Sequence, residues 1–313
     1  MNMKLSKNKL VGALLRIAVV IALLVLVDLC FGGASAWLYH RSKYGIFHRQ
    51  QYVLNESKDD IIILGSSRAS HHYVPSILSD SLGMSCYNAG SDGMCVYYHY
   101  AVLAAMIERG HCPKIVIYDA MDYDVKEHPG PTFTLEAALD RLAPHYGEYS
   151  CVDSVFMLKG WKEKMKLLSL SYRYNSKLVQ SIKCNYMPQS EDGGYEKLEG
   201  RLQPNDDFID FGNKNYTIDD NKLEYLNKII KIAKENQIWI CFIMSPQYSK
   251  ESSNAIEKIK EIAQYNNILC LDYSNDDYFM SGDFFSDTMH LNDKGAHAWS
   301  SFIAYQIKNN SGI

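Results

Sequence analysis

Two serines and a distant aspartate–histidine pair are the residues of this 313-residue chain whose types and spacing could do covalent chemistry. Ser66 and Ser67 follow Gly65 at the end of the apolar run 61–64, and Asp287-Thr288-Met289-His290 stands near the C-terminus. A serine hydroxyl is a poor nucleophile until a base takes its proton, and the base must be held in one tautomer, usually by a carboxylate. Asp287 and His290 could supply that pair for Ser67, with Ser66 the alternative if the turn is shifted by one. Asp283 competes with Asp287 as the orienting acid. Taken alone, Gly-Ser-Ser also reads as a strand, a turn and a helix cap, and a histidine before a helix also serves as a cap or a surface residue.

The positioning elements are legible as patterns. The Ile-rich stretch 61–64 is an unbroken apolar run, which predicts a strand buried on both faces in a parallel sheet. A serine at its C-terminal end lies where open α/β sheets bind ligands, and at a helix N-terminus whose free N–H groups favour negative charge. Helix 73–82, strand 84–88, helix 96–109 and strand 114–118 follow, a β-α-β-α-β order that calls for right-handed parallel crossovers. The small-residue loop 88–93 (Asn-Ala-Gly-Ser-Asp-Gly) leads into the second of these helices. Helices over 134–143, 152–166 and 172–184 and a polar stretch 185–215 break the rhythm, so 121–215 is expected as an insertion over the sheet edge, acting as a lid. The alternation then resumes with helix 219–237, strand 238–244, helix 252–265, strand 268–272 and helix 293–307. Asp287 and His290 fall between the last strand and the last helix.

Composition narrows the class. With 47% hydrophobic and 22% charged residues the chain can bury a large core, and its net charge of −4 gives no support to a nucleic-acid partner. The segment 10–29 is apolar apart from Gly12, Arg16 and Asp28, long enough to span a bilayer. Lys4, Lys7 and Lys9 before it favour a cytoplasmic N-terminus. The expected organisation is a tail over 1–9, a transmembrane anchor over 10–36, a stalk over 37–56 and an α/β domain over 57–313. Ala34-Ser35-Ala36 also fits a signal-peptidase site, and the length of the apolar stretch favours an uncleaved anchor. The eight cysteines show no metal-ligand spacing, and no metal or cofactor is expected.

In this order, strand–Gly65-Ser66-Ser67, Asn88…Gly93 and Asp287-x-x-His290 resemble three of the four blocks of the SGNH/GDSL hydrolase superfamily. The resemblance spans about 59–309. It implies a three-layer α/β/α sandwich with a flavodoxin-like parallel sheet. It makes Ser67 the nucleophile, His290 the base and Asp287 its orienter, with the N–H groups of Ser67 and Gly93 forming an oxyanion hole; Gly90 competes with Gly93. The third block departs from the family: Asp119-Ala120-Met121-Asp122 stands where an asparagine donor is usual, a loss worth ~10²–10³ in rate. The anchor and the altered third block are similar to a membrane-anchored branch that includes D-alanine-transfer proteins of teichoic-acid modification and alginate-acetylation proteins.

The expected activity is therefore that of a serine esterase or O-acyltransferase on the outer side of the membrane. Its acyl groups, acetyl above all, would sit on a cell-envelope glycan or a small acylated molecule, and a membrane-bound O-acyltransferase is the expected partner. The alternative is a non-catalytic accessory protein that binds a polysaccharide or that acyltransferase. Tyr248 and Pro246, at a strand's C-terminal end, and Asp122 are candidate substrate-binding residues. His71 and His72 read as surface or packing residues.

Overall fold

A computed structural model describes residues 7–189, 191–202 and 208–311. Lys4 and the rest of the extreme N-terminus lie outside the described residues. The strands are β1 (Ile61–Gly65), β2 (Cys86–Asn88), β3 (Ile115–Asp119), β4 (Ile209–Lys214), β5 (Trp239–Met244), β6 (Ser249–Ser253) and β7 (Leu269–Asp272). The helices are α1 (Lys7–His40), α2 (Gly45–Gln51), α3 (Ser67–His72), α4 (Pro75–Leu82), α5 (Val96–Glu108), α6 (Leu135–Leu142), α7 (Ser150–Phe156), α8 (Trp161–Lys166), α9 (Leu170–Arg173), α10 (Leu178–Tyr186), α11 (Asp220–Glu235), α12 (Asn254–Tyr265) and α13 (Asp293–Asn310).

Five strands form one all-parallel sheet in the order β2-β1-β3-β5-β7, the doubly wound arrangement. Every residue of β1 and β3 is buried, which is why both read as unbroken apolar runs. Successive side chains point to opposite faces. Ile62, Leu64, Val116, Tyr118 and Phe242 pack under α5, α11 and α12. Ile61, Ile63, Ile117 and Ile243 pack under α4 and α13, against Leu78, Trp299 and Ile303. The mixed α/β architecture expected from the alternation is the one observed, with helices on both sheet faces.

Four local readings need correction, one of them the helix over 172–184, which Ser176 with φ +63° splits into α9 and α10. The segment 37–56 is not a free stalk: α1 continues to His40, and α2 with the π-helical turn Tyr52–Glu56 packs on the domain. Tyr39, Phe47 and Leu54 are buried there, and the Tyr39 hydroxyl reaches Gln50 and His145. The stretch 152–166 is not one helix, because Gly160 with φ +75° breaks it before α8. The polar stretch 185–215 contains β4, which pairs in parallel with β6 as a separate two-stranded sheet. The insertion packs against α5 and α1, its first residues line the site end of the sheet with Asp122 and Lys126, Phe133 N donates to Gly93 O, and 193–198 crosses the sheet edge. There Gly193 O accepts from Asn88 N, Glu196 N donates to Ser70 O and Asp293 N donates to Leu198 O.

Candidate active site

The C-terminal ends of β1, β2 and β3 define the site. After β1 the chain turns sharply at Gly65, whose φ is +151° and whose added Cβ would lie 2.8 Å from Ala69 Cβ and 2.9 Å from Asp119 O. Only glycine fits that turn. It launches α3 with Ser66 as its N-cap and Ser67 as its first residue. The first amides of a helix have no intrahelical partner, so the Ser67 N–H is free to meet negative charge. From the end of β2, Asn88 ties the neighbouring loop to this helix. Its Nδ2 donates to Ala69 O (2.7 Å) and Tyr73 O (2.9 Å), and its Oδ1 accepts from Gly90 N (2.9 Å). Gly90 itself lies so close to α3 that a Cβ would sit 2.4 Å from Ser70 N.

The other half of the site arrives from the far end of the sequence. His290 Nε2 is 2.8 Å from Ser67 Oγ, across 223 residues of chain. His290 Nδ1 is 3.0 Å from Asp287 Oδ1 and 2.9 Å from Oδ2. Asp287 Oδ1 also accepts the N–H groups of Met289 (2.8 Å) and His290 (2.9 Å), closing a tight turn that fixes the spacing D-x-x-H. A carboxylate cannot donate, so Nδ1 carries a proton and Nε2 is left to accept from the serine. Burial works against the Asp287 anion, but the bonds from His290 and Met289 outweigh it and hold its carboxyl below the usual range. Asp283 contributes its carbonyl to Asn292 Nδ2 rather than its carboxylate to His290. Ser66 is buried and its hydroxyl has no hydrogen-bond partner among the described residues.

The remaining sequence candidates fall in different places. Gly93 has φ +72° and closes the loop after Asn88; its carbonyl accepts from Phe133 N (2.6 Å). Asp122 is ion-paired with Lys126, and both line a cavity of about 300 Å³ with Arg68, Tyr216, Gln247 and Met289. Arg68 and Met289 are the chain neighbours of Ser67 and His290, so this cavity adjoins the relay. Tyr248 is turned away from it. Its ring packs 5.6 Å from Phe285, and its N–H donates to Thr288 O (2.9 Å), bracing the histidine turn.

Several neighbours of the relay were given no place in the site from sequence. Arg68, directly after Ser67, is almost wholly buried, and its guanidinium spans Ala120 O (3.0 Å), Ser245 O (3.3 Å) and Gln247 Oε1 (3.3 Å). It also lies 3.7 Å from Asp119 Oδ1. Asp119, in the altered third block, is itself buried; burial raises its pKa and Arg68 pulls the other way. It sits against the Gly65 turn, where a Cβ on Gly65 would lie 3.0 Å from Asp119 Cβ, and neither of its carboxyl oxygens has a hydrogen-bond partner among the described residues. An arginine in a run of small residues beside Ser67 was the available signal. His72 is fully buried, accepts from Leu291 N at Nε2 (3.0 Å) and so donates from Nδ1 to Ser245 Oγ (3.0 Å). It holds the strand-like segment that follows His290. His71 stacks edge-on to the His290 ring at 5.4 Å and donates from Nδ1 to Glu196 O (2.7 Å). Its Nε2 lies 3.4 Å from Asp92, and Glu196 is paired with Arg49. His71, Asp92 and Glu196 are close enough together to suit a cation, yet each already has a protein partner. Nothing in sequence marks these two histidines apart from packing residues.

No family model and no curated protein matches the chain. Among solved structures it is similar to a Bacteroides fragilis protein provisionally named an acylhydrolase, with 12% identity and a TM-score of 0.42. That similarity covers 85% of this chain and 97% of the other. A likeness this remote says nothing about chemistry.

Proposed function

We propose that the chain is a serine acyl esterase or O-acyltransferase of the SGNH type. The observation that carries this is the unbroken relay Ser67 Oγ–His290 Nε2, His290 Nδ1–Asp287, built on a helix N-terminus at the end of a parallel strand. In the reaction His290 takes the proton of Ser67 as its oxygen attacks an ester carbonyl. The N–H groups of Ser67 and Gly93 are the proposed donors to the oxyanion, and the protonated His290 passes its proton to the leaving alcohol. An acyl-serine remains, which water or a second hydroxyl resolves with His290 acting as base. The altered third block removes a side-chain donor, and the buried Arg68 guanidinium, 3.7 Å from Asp119 Oδ1, offsets the charge of the carboxyl that stands at the start of that block.

The acyl group, acetyl by this reading, comes from or goes to a glycan of the cell envelope, and a membrane-bound O-acyltransferase is the proposed partner. The N-terminal apolar helix anchors the protein with its N-terminus in the cytoplasm and the α/β domain outside. The test is labelling of the full chain by a serine-reactive phosphonate. Labelling lost in Ser67→Ala and His290→Ala but kept in Ser66→Ala is the expected pattern. Absence of labelling in the folded parent would sink the catalytic reading and leave a glycan-binding or acyltransferase-binding accessory role.

A further inference from the structure

We infer that α8 and the turn after it form a second membrane contact, seated in the phospholipid interface beside the N-terminal helix. The inference rests on α1 being a membrane span and is independent of the chemistry at Ser67. Large apolar residues of α1 are exposed from Leu10 to Phe31, and from Gly32 onward one face, with Ser35 and Tyr39, is buried by the domain. The changeover is clasped by α9. Asp28 accepts from Leu170 N (3.0 Å), Ser171 N (2.9 Å) and Ser169 Oγ (2.6 Å). One turn further, a Cβ on Gly32 would sit 2.5 Å from Leu170 Cβ, so the two helices touch backbone to backbone.

The apolar run beginning at Leu10 needs about 20 residues, ~30 Å of helix, to cross the hydrocarbon core. Asp28 therefore marks its outer end, and the residues bonded to Asp28 lie at that depth. Leu168 immediately precedes this clasp and is 67% exposed. Trp161 and Met165, at 70% and 58% exposed, are i and i+4 on one face of α8, and Leu168 follows in the turn, its N–H bonding back to Met165 O. Leu29 and Phe31, on α1 beside the clasp, are exposed as well. Lys162 and Lys164 interleave with this face and have no ion-pair partner among the described residues. A tryptophan, a methionine and a leucine beside unpaired lysines is the composition of a segment lying in an anionic headgroup region, with its apolar side ~5–10 Å deep. Lysines would be out of place against the apolar flank of another span, which favours lipid over a protein partner. Two contacts, α1 and α8, would hold the domain at one height and tilt, so that the Ser67 site meets acceptors at a set distance from the bilayer.

The test uses the full chain in vesicles of phosphatidylethanolamine and phosphatidylglycerol. Co-flotation with the vesicles reports the α1 span separately. Tryptophan emission of the parent minus that of Trp161→Phe isolates Trp161 from Trp37, Trp239 and Trp299. That component should be blue-shifted and lose most of its intensity to phospholipid brominated just below the headgroup, while aqueous iodide on both sides leaves it bright. In Met165→Glu/Leu168→Glu, whose changes are on exposed positions, the component should become open to iodide with phosphonate labelling at Ser67 unchanged. A floating parent whose Trp161 is quenched by iodide and spared by brominated lipid overturns the inference and leaves this face to a protein. A chain that does not float overturns it as well.

Discussion

Replacing Asp287 by asparagine tests the relay more sharply than deleting any of its members. In the parent, Oδ1 of Asp287 accepts from Met289 N and His290 N while both oxygens face His290 Nδ1. An asparagine keeps its oxygen on the two backbone N–H groups, because that is the only acceptor they can retain. Its NH₂ then faces Nδ1, two donors cannot meet, and the imidazole must move its proton to Nε2. Nε2 would then donate to Ser67 Oγ instead of accepting from it. The fold and the 2.8 Å contact to Ser67 survive, but the base is in the wrong tautomer. For a fully buried carboxylate that error costs about 10⁴ in rate. Asp287 is 54% exposed in its side chain, so water can relieve part of the mismatch. We expect a loss of ~10²–10³ in the rate of phosphonate labelling, ~2.7–4 kcal/mol of barrier. The assay is the second-order labelling rate of parent and Asp287→Asn, with circular dichroism to confirm the fold. Raising the pH should not restore the rate, since the defect is a tautomer and not a protonation. A variant that labels as fast as the parent would refute the assignment of Asp287.

Three further outcomes follow from the packing around the site. Gly90→Ala drives a Cβ to 2.4 Å from Ser70 N, and should lower stability by ~1–3 kcal/mol in urea unfolding, with the labelling rate falling too because α3 carries Ser67; unchanged stability would show that the loop moves freely. Lys222 is buried and its Nζ donates to Tyr123 O (2.9 Å), Lys126 O (2.8 Å) and Phe133 O (2.8 Å). Lys222→Met leaves three carbonyls unpaired and should cost ~3 kcal/mol and loosen the 121–133 loop to proteolysis, whereas parental resistance would contradict it. For His72, burial first and then the neighbouring His290 and Arg68 push the pKa well below the ordinary histidine value. The unfolded chain then binds the extra proton below about pH 6.5, so stability falls with acid at up to ~1.4 kcal/mol per pH unit. His72→Gln should flatten that slope in unfolding measured below pH ~6.5, and an identical slope in both proteins would remove His72 from the account.

Much of the sheet was legible because burial on both faces leaves a mark that survives translation into sequence. Ile61, Ile62, Ile63 and Leu64, or Ile115, Val116 and Ile117, can be little else than central parallel strands. The stretch 37–56 misled because its aromatic and polar residues bury through specific partners, Tyr39 with Gln50 and His145, rather than through an apolar period. The β4–β6 pair carries no alternating apolar pattern, since β4 is exposed along its whole length and β6 over its middle. Neither could be seen before the chain was folded.

Sequence by itself determined the strand order of events along the chain, the apolar N-terminal helix, the serine at a strand end and the spacing of Asp287 to His290, because each depends on residues near one another in the chain. Only the tertiary structure decided that His290 reaches Ser67 and not Ser66, that Arg68 and Asp119 face each other beneath that serine, that His72 braces the segment after His290, and that α9 clasps α1 at Asp28. Those contacts join residues dozens to hundreds of positions apart. Their geometry is set by how the sheet edge, α3 and the C-terminal turn are packed together, which no local pattern encodes.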